Sequence, residues 1–441
     1  MNRPKNEHVH FAAAFALVAF GCSDSSSAPP GGGGGAGGAA GSAAATLVVE
    51  TFGTNLFGAD GAYETERRPA ILAAIAASDA DVLCLTDVVR DEDKSAIADA
   101  AKAGFPHSFW VKHAAKDVAP DETLEDGSIP ILPTSPPCAT KAQRTALEAG
   151  IACAEMQCSS IPSDPTGHVT ELDCVAAQCA SPLLPLIAGT ADDRRCGSCF
   201  EANLTSYKSW SEIATRCEDD ADAGFVFDGQ TDVLLLSRRP LEAPESVVLP
   251  SSLFRREILR AHHPAGLDVY CLHLQTVFLG PLVVYPGPWA PGLAGQAAWA
   301  AENHLQASKL LAVVAAKTGT APAVLLGNFE SSVAASRNGV ELVSANGGAG
   351  TLALLTPTPF LEGVAPDYVP ACTECPENVL AAIAAPGMWT EHVLLSGLPG
   401  AAVHATTRGF LDVRVPVATA SGMMQVPLSS HWSLRSVLAL H

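Results

Sequence analysis

Basic charge is scarce in these 441 residues: 26 Lys and Arg stand against 46 Asp and Glu, a formal net charge of −20. A fold that grips duplex nucleic acid by its phosphates concentrates Lys and Arg, so this balance argues against a nucleic-acid partner. Charge of either sign is thin, at 16% of residues, against ~25% in ordinary soluble domains. Long apolar runs are missing too, since none approaches the ~20 residues of a membrane-spanning helix. Apolar residues as such are plentiful, at 48%. That content excludes disorder of the whole chain and allows a sizeable core. The length suits two or three domains of roughly 150 residues, or one enlarged α/β domain.

The first 21 residues read as a signal peptide. Arg3 and Lys5 precede an apolar stretch from Phe11 to Gly21, the charged-then-apolar layout of an export signal. The stretch runs into Ala19-Phe20-Gly21-Cys22. A Cys after small residues resembles a bacterial lipobox, in which the Cys is lipidated and becomes the new N-terminus. The alternative is an ordinary secretory signal with an incidental Cys22. Residues 22–45 are Ser, Gly and Ala with few exceptions, a composition that buries no core and forms a flexible tether. The expectation is a lipoprotein of the bacterial cell envelope, anchored outside the cytoplasm through Cys22.

Twelve cysteines follow Cys22, and eight of them lie between Cys138 and Cys217. Such density in an exported chain reads as a disulfide framework, with 105 possible pairings for eight cysteines. Cys196-x-x-Cys199 and Cys372-x-x-Cys375 could instead make a four-Cys zinc site; an exported chain meets oxidant before free metal, which favours disulfides. Cys84 and Cys271 sit in apolar runs and are expected to be buried, inert thiols. Residues 113–222 carry 7 Lys and Arg against 18 Asp and Glu. They read as an acidic insertion that depends on disulfides more than on an apolar core. Around it the pattern is α/β. Strands are expected at 47–52, 82–85, 233–236, 269–272 and 323–326, with a helix opening at Arg68-Pro69 and another over 297–316.

Seven short strings then stand in a telling order. They are Thr51-Phe52-Gly53-Thr54-Asn55, Asp81 to Val88 (DVLCLTDV), Leu236-Ser237-Arg238-Arg239-Pro240-Leu241, Cys271-Leu272-His273-Leu274, Gly327-Asn328-Phe329-Glu330, Thr390-Glu391-His392-Val393-Leu394 and Leu428-Ser429-Ser430-His431. In this order they resemble the motifs of the endonuclease/exonuclease/phosphatase superfamily, the DNase I-like metal-dependent phosphoesterases. Phe105-Pro106-His107, Arg255-Arg256, Tyr285-Pro286-Gly287 and Cys372-Thr373-Glu374-Cys375-Pro376 look like a Cys-rich extracytoplasmic branch of it. The resemblance implies an α/β fold over residues 46–441, a four-layer sandwich of two mixed β-sheets flanked by helices and interrupted by the disulfide-rich insertion. It also implies a site at one end of the sandwich, where a carboxylate-held Mg²⁺ or Mn²⁺ assists hydrolysis of a phosphoester by water.

Carried over position by position, the resemblance makes His431 the general base and His273 the histidine facing the phosphoryl oxygens. Glu391 stands where an Asp orients the base, and Asp87 where a metal-binding Glu belongs. Gly53 replaces the first-strand Asn and Ser430 the Asp before the final His. Asn328 replaces an Asp that orients water or steadies the leaving group. Glu330 takes the place of a substrate-contacting Asn, setting negative charge against a negative substrate. Two readings follow. The carboxylates are permuted, with a cation among Asp87, Glu330 and Glu391 and weak or altered hydrolysis of a small phosphoester; or the chain is an inactive pseudoenzyme that binds a surface partner. Restoring the family residues at 53, 87, 328, 330 and 430 together is expected to raise the rate. Asp232 reads as a strand-edge charge or a relocated ligand, His262, His263 and His404 as surface histidines, and Asn203-Leu204-Thr205 as a sequon without consequence.

Overall fold

Alternation along each strand builds the layers. The structure is a computed structural model that describes residues 45–440 except 59–60, 113–134, 159–170, 207, 222, 279–282, 333–334, 338–339, 343–348, 382–386, 400–401 and 420–421. The signal peptide, the tether and Cys22 therefore lie outside the described residues, as does the first part of the acidic insertion. One sheet has the order β13 (Val403–Gly409), β16 (Ser433–Leu440), β1 (Ala45–Leu56), β2 (Val82–Val88), β4 (Leu234–Ser237), β3 (His107–Phe109). The other runs β11 (Leu361–Glu362), β12 (Glu391–Ser396), β8 (Ala323–Asn328), β7 (Leu267–His273), β6 (Glu257–His263), β5 (Glu242–Val248). Both are mixed: β1 pairs with β2 and β7 with β8 in parallel, while their other neighbours are antiparallel. Two hairpins stand apart, β9 (Ala335–Arg337) with β10 (Val340–Leu342), and β14 (Arg414–Thr419) with β15 (Gly422–Pro427).

Successive strand residues face opposite ways. Val82 and Cys84 accordingly point inward with Val49 and Leu235, against Val269, Cys271, Val324 and Val393 of the second sheet. Leu83, Leu85 and Leu234 point outward against Ile71 and Ile75 of α1 (Glu64–Ala77) and Ile97 of α2 (Asp91–Ala101). On the far side Tyr270, Leu272 and Leu325 pack on Leu310 and Val314 of α8 (Gly295–Lys317), with Leu355 of α9 (Ala349–Leu355). This is the expected four-layer sandwich. Helix α1 begins four residues before the expected Arg68-Pro69 start. Arg67, fully buried, fastens its first turn by donating to the carbonyls of Ala62 and Asn55 at 2.8 Å each.

All twelve cysteines after Cys22 are paired. Four bridges lie within the insertion, Cys138–Cys196, Cys153–Cys179, Cys158–Cys174 and Cys199–Cys217. Cys372 joins Cys375, so no four-Cys zinc site forms. Cys84 and Cys271 depart from expectation: they are bonded to each other, with Cα atoms 5.3 Å apart. Their apolar runs signalled burial, but not that β2 and β7 set them opposite each other across the core. Six disulfides in one chain belong to an oxidising compartment outside the cytosol.

The insertion also corrects the expectation of a segment with little core. Helices α3 (Lys141–Gln157), α4 (Glu171–Gln178), α5 (Ala180–Ile187), α6 (Ala191–Thr205) and α7 (Trp210–Asp219) bury Leu147, Ile151, Leu183, Phe200 and Ile213 among the bridged cysteines. Thr140, Thr190 and Ser209 open three of these helices with reciprocal capping boxes to Gln143, Asp193 and Glu212. Such caps satisfy orphan backbone donors. Asn203 is buried and donates to the carbonyls of Cys199 and Ala223, which leaves no accessible sequon. Among the described residues no helix is long and apolar enough to cross a membrane.

Candidate active site

β1 and β2 in one sheet and β7 and β8 in the other run parallel, and their antiparallel neighbours β16 and β12 begin where these end. The 3.5 Å approach of His273 to Asp87 brings the two sets of ends together. Asp87, His273 and Asn328 thus sit at strand ends and Glu391 at a strand start, opposite Asn328. His431 is brought to β1 by its loop. Ser429 Oγ donates to the Gly53 carbonyl at 2.6 Å and accepts from His431 N at 3.1 Å. The structure gathers the sequence-predicted site residues that lie among the described residues, Asp87, His273, Asn328, Glu330, Glu391 and His431, in this one place.

His273 is held between acids. Its Nδ1 lies 2.6 Å from Asp232 Oδ2 and 3.5 Å from Asp87 Oδ1, and its Nε2 3.2 Å from Glu330 Oε1. The fully buried Arg256 pairs with the same Asp232 oxygen. Burial and Arg256 both resist charge on the imidazole, but Asp232 and Asp87 outweigh them and hold its pKa at about 10. These acids favour the imidazolium form of His273, while Arg256 Nη1 also stands 2.6 Å from its Nδ1 and opposes it. Burial likewise opposes ionisation of Asp232, yet Arg256 and His273 keep its carboxyl below the ordinary range. Asp232 is thus a buried partner of the histidine rather than a strand-edge charge. His263 also departs from the surface reading, being buried; β6 turns it inward while His262 stays half-exposed beside Asp268.

Glu330 Oε1 collects three donors: His273 Nε2, Thr276 Oγ1 at 3.0 Å and Asn328 Nδ2 at 3.1 Å. Asn328 Oδ1 in turn accepts from Glu330 N at 2.8 Å. The amide expected to position water is spent on fixing Glu330. Despite burial, the bond from His273 holds the Glu330 pKa low, so a carboxylate already occupies all three of these donors. Both Glu330 and Asp87 have positive φ, 50° and 58°, a left-handed backbone that is uncommon outside glycine and clusters at functional sites.

The second histidine is arranged differently. His431 Nδ1 lies 3.6 Å from Glu391 Oε1, too far for a hydrogen bond. Glu391 Oε2 instead accepts from Thr51 Oγ1 at 2.8 Å, and Oε1 is buried with no hydrogen-bond partner. The cause is visible at Gly53. A Cβ there would stand 2.9 Å from Glu391 Oε1, 3.1 Å from the His431 ring and 3.2 Å from Asp87 Oδ2. The longer Glu391 carboxylate fills the space that a side chain at 53 would take. Burial raises Glu391 to about 7, with His431 pulling against it. His431 itself is raised: burial opposes this, and Glu374, Glu391, Asp87 and Glu330 together overcome it.

These donors suit a hard divalent cation, which prefers carboxylate oxygens. Asp87, Asp232 and His273 form a buried group with ligand atoms within 4.8 Å of one another, but Asp232 and His273 are engaged with each other and Arg256. Glu391 Oε1, which has no hydrogen-bond partner, and Asp87 Oδ2 lie 2.9 and 3.2 Å from where a Cβ at Gly53 would stand, and these are the two oxygens that could hold the ion. A bound ion would neutralise a phosphate and the charge developing on it. Sequence reasoning gave no role to Arg256, Thr276 or Glu374. For Glu374 the signal was its place between two cysteines; for Arg256, only a short string.

Among solved structures, sphingomyelinase C from Streptomyces griseocarneus matches 89% of this chain and 99% of its own at 13% identity, with a TM-score of 0.46. An endonuclease/exonuclease/phosphatase from Beutenbergia cavernae matches 90% of this chain and 72% of its own at 14% identity, TM-score 0.44. A beta toxin variant from Staphylococcus aureus with bound magnesium ions matches 89% and 99% at 9% identity, TM-score 0.44. At these values the assignment of the fold rests on the sheet topology itself. No family model and no curated protein matches the chain.

Proposed function

We propose that the chain is an exported, lipid-anchored protein on a metal-dependent phosphoester-hydrolase scaffold that hydrolyses a small phosphoester only weakly. One observation carries this reading: the site keeps two histidines beside carboxylates at the strand ends, while Glu330 occupies the oxyanion-facing donors. His431 is the histidine less tightly held, its buried Nδ1 lying 3.6 Å from Glu391 Oε1 without a hydrogen bond, and in this reading it takes the proton from water. His273 Nε2 would donate to a phosphoryl oxygen once Glu330 yields. The carboxylates of Asp87, Glu330, Glu374 and Glu391 outnumber the cationic groups beside them, which supports a divalent cation such as Mg²⁺ or Mn²⁺ as cofactor for a phosphate substrate. The charge balance supports a small phosphoester over nucleic acid.

Hydrolysis of an activated phosphodiester with Mn²⁺ tests this. Wild type should exceed buffer only slightly, Glu330→Asn should be at least about tenfold faster because three donors are freed, and His431→Ala in that background should abolish the gain. A Glu330→Asn protein as slow as wild type, or a gain that survives His431→Ala, counts against the proposal. The closed donors also support a second reading, a non-catalytic module that meets a surface partner through its acidic insertion. No stabilisation by Mg²⁺ or Mn²⁺ in thermal unfolding would favour it.

A further inference from the structure

The six disulfides close loops of very different length. Cys372 and Cys375 are three positions apart, while the partners of the other five bridges lie 16 to 187 apart. A bridge stabilises a fold by removing chain entropy from the unfolded state, and that entropy grows with the loop it closes. Opening the Cys372–Cys375 bridge therefore costs the fold least, and the rest of the molecule can stay folded when it opens.

Its two sulfurs differ in what surrounds them. Cys372 is partly exposed and Cys375 is fully buried. Arg408 of β13 reaches over the pair. Its Nη1 stands 3.1 Å from Cys375 Sγ and 3.9 Å from Cys372 Sγ, and donates to the Cys372 carbonyl at 3.0 Å. That carbonyl lies 2.8 Å from Cys375 Sγ and would repel a thiolate, so the guanidinium offsets it. The Glu377 carboxylate, 4.0 Å from the same nitrogen, is 63% exposed and screened by water. Elsewhere the sulfurs face uncharged groups: Cys84, Cys271, Cys153 and Cys174 lie against backbone carbonyls, and Cys199 against the Ala223 carbonyl and the Asn203 amide. A neighbouring arginine lowers a thiol pKa, and the sulfur with the lower pKa leaves faster in exchange.

The loop closed by this bridge braces both sides of the candidate site. Trp432 N, beside His431, donates to the Thr373 carbonyl at 2.8 Å, and Glu374 meets both Met388 and His431 in β-bridges. Thr373 Oγ1 accepts from the backbone N of Thr390 at 2.9 Å and of Glu391 at 3.1 Å.

We propose that Cys372–Cys375 is a thiol-exchange site, reduced by an extracytoplasmic dithiol, and that its opening loosens the backbone beneath His431 and Glu391. A thiolate of the dithiol attacks the exposed Cys372 Sγ, the sulfur–sulfur bond breaks, and Cys375 leaves as a thiolate beside Arg408. The second sulfur of the dithiol, its proton lost to water, then displaces Cys372 from the mixed disulfide. The dithiol gives up two electrons and two protons and ends as a disulfide, and the protein gains two thiols.

Graded ratios of reduced to oxidised dithiothreitol at pH 8, followed by iodoacetamide and mass mapping of the full chain, test this. Cys372 and Cys375 should be alkylated at ratios that leave the other five bridges closed, with the far-ultraviolet circular dichroism unchanged. Arg408→Gln should need a ratio about tenfold more reducing, as for a tenfold change in thiol acidity, and Arg408→Lys should recover part of that. The imidazole NMR signal of His431, assigned by its loss in His431→Asn, should shift on reduction. In Cys372→Ala/Cys375→Ala it should stand at the shifted position without reductant. Reduction of this bridge only with or after the others overturns the exchange site. Wild-type behaviour in Arg408→Gln overturns the part given to the guanidinium. A His431 signal unmoved by reduction overturns the coupling to the site.

Discussion

Glu391 and Gly53 have to be considered as a pair. Taken singly, Gly53 is a lost ligand and Glu391 a carboxylate one methylene too long; together, the longer side chain occupies the room left by the missing one. Restoring five family residues while leaving Glu391 in place is therefore no longer expected to recover activity. Gly53→Asn alone should destabilise the fold by about 1–3 kcal/mol, the usual cost of overpacking a filled interior. Glu391→Asp should relieve most of that penalty, because it withdraws the oxygen 2.9 Å from the new Cβ. Urea unfolding of the two single variants and the double variant would give the coupling energy. Additive effects would show that the two positions are independent. The distinction between His273 and His431 belongs to this scale as well. Both are buried, yet one is saturated by Asp232 and Glu330 and the other retains an unpaired nitrogen.

The strands act on the site through the bridge between Cys84 and Cys271. Asp87 lies three residues beyond Cys84 on β2 and His273 two beyond Cys271 on β7. The disulfide thus joins the two strands whose ends set the 3.5 Å approach of those side chains. Cys84→Ala/Cys271→Ala should lower stability by about 2–4 kcal/mol and should also weaken Mn²⁺ binding. A stable double variant with unaltered Mn²⁺ affinity would show that packing alone holds the sheets in register. The helices of the insertion respond differently. Their bridges lie outside the sandwich, and Cys153 is only partly buried, whereas Cys84 and Cys271 are fully buried. Mild reduction should open the region between Cys138 and Cys217 to protease first while the sandwich resists. Cleavage within β1 to β3 at the same reductant concentration would contradict that order.

Across the whole molecule the notable cost is buried acid. Glu302 on α8 is fully buried, takes hydrogen bonds from Ser252 and from Tyr285 Oη at 2.9 Å, and has its pKa raised by burial to about 7 from 4.5. The folded state therefore holds this proton more tightly than the unfolded chain. Its contribution to stability is complete below about pH 4.5 and is lost as pH rises to about 7. Glu302→Gln keeps a neutral side chain at every pH. Between pH 5 and 7.5, roughly the window of that shift, wild-type Tm should fall by more than that of Glu302→Gln. Parallel Tm profiles would show that Glu302 is ionised in the fold throughout.

Much of this protein was legible in the sequence. Val82-Leu83-Cys84-Leu85 and its counterparts were readable as strands because a buried strand leaves an apolar run wherever it lies in the fold. Apolar residues on one side at helical spacing, Ile71, Leu72 and Ile75 in the first and Trp299, Leu305 and Leu310 in the second, likewise marked α1 and α8. Cysteine number and crowding pointed to disulfides, and seven ordered strings placed His273, Asn328, Glu330, Glu391 and His431 in one site. Which groups meet inside that site was not readable, because contacts across 340 residues, such as Thr51 with Glu391, leave no local pattern. Asp232 looked like a strand-edge charge until β7 brought His273 beside it. Glu374 stood in the sequence only as part of a Cys-rich string, and the fold alone sets it opposite His431 in a β-bridge. Residue types and their periodicity determined the layers and the identity of the chemical groups. Only the packing of one sheet on the other decided that Glu330 closes the donors, and that Glu391 stands in the space above Gly53, because both depend on side chains from distant strands competing for the same volume.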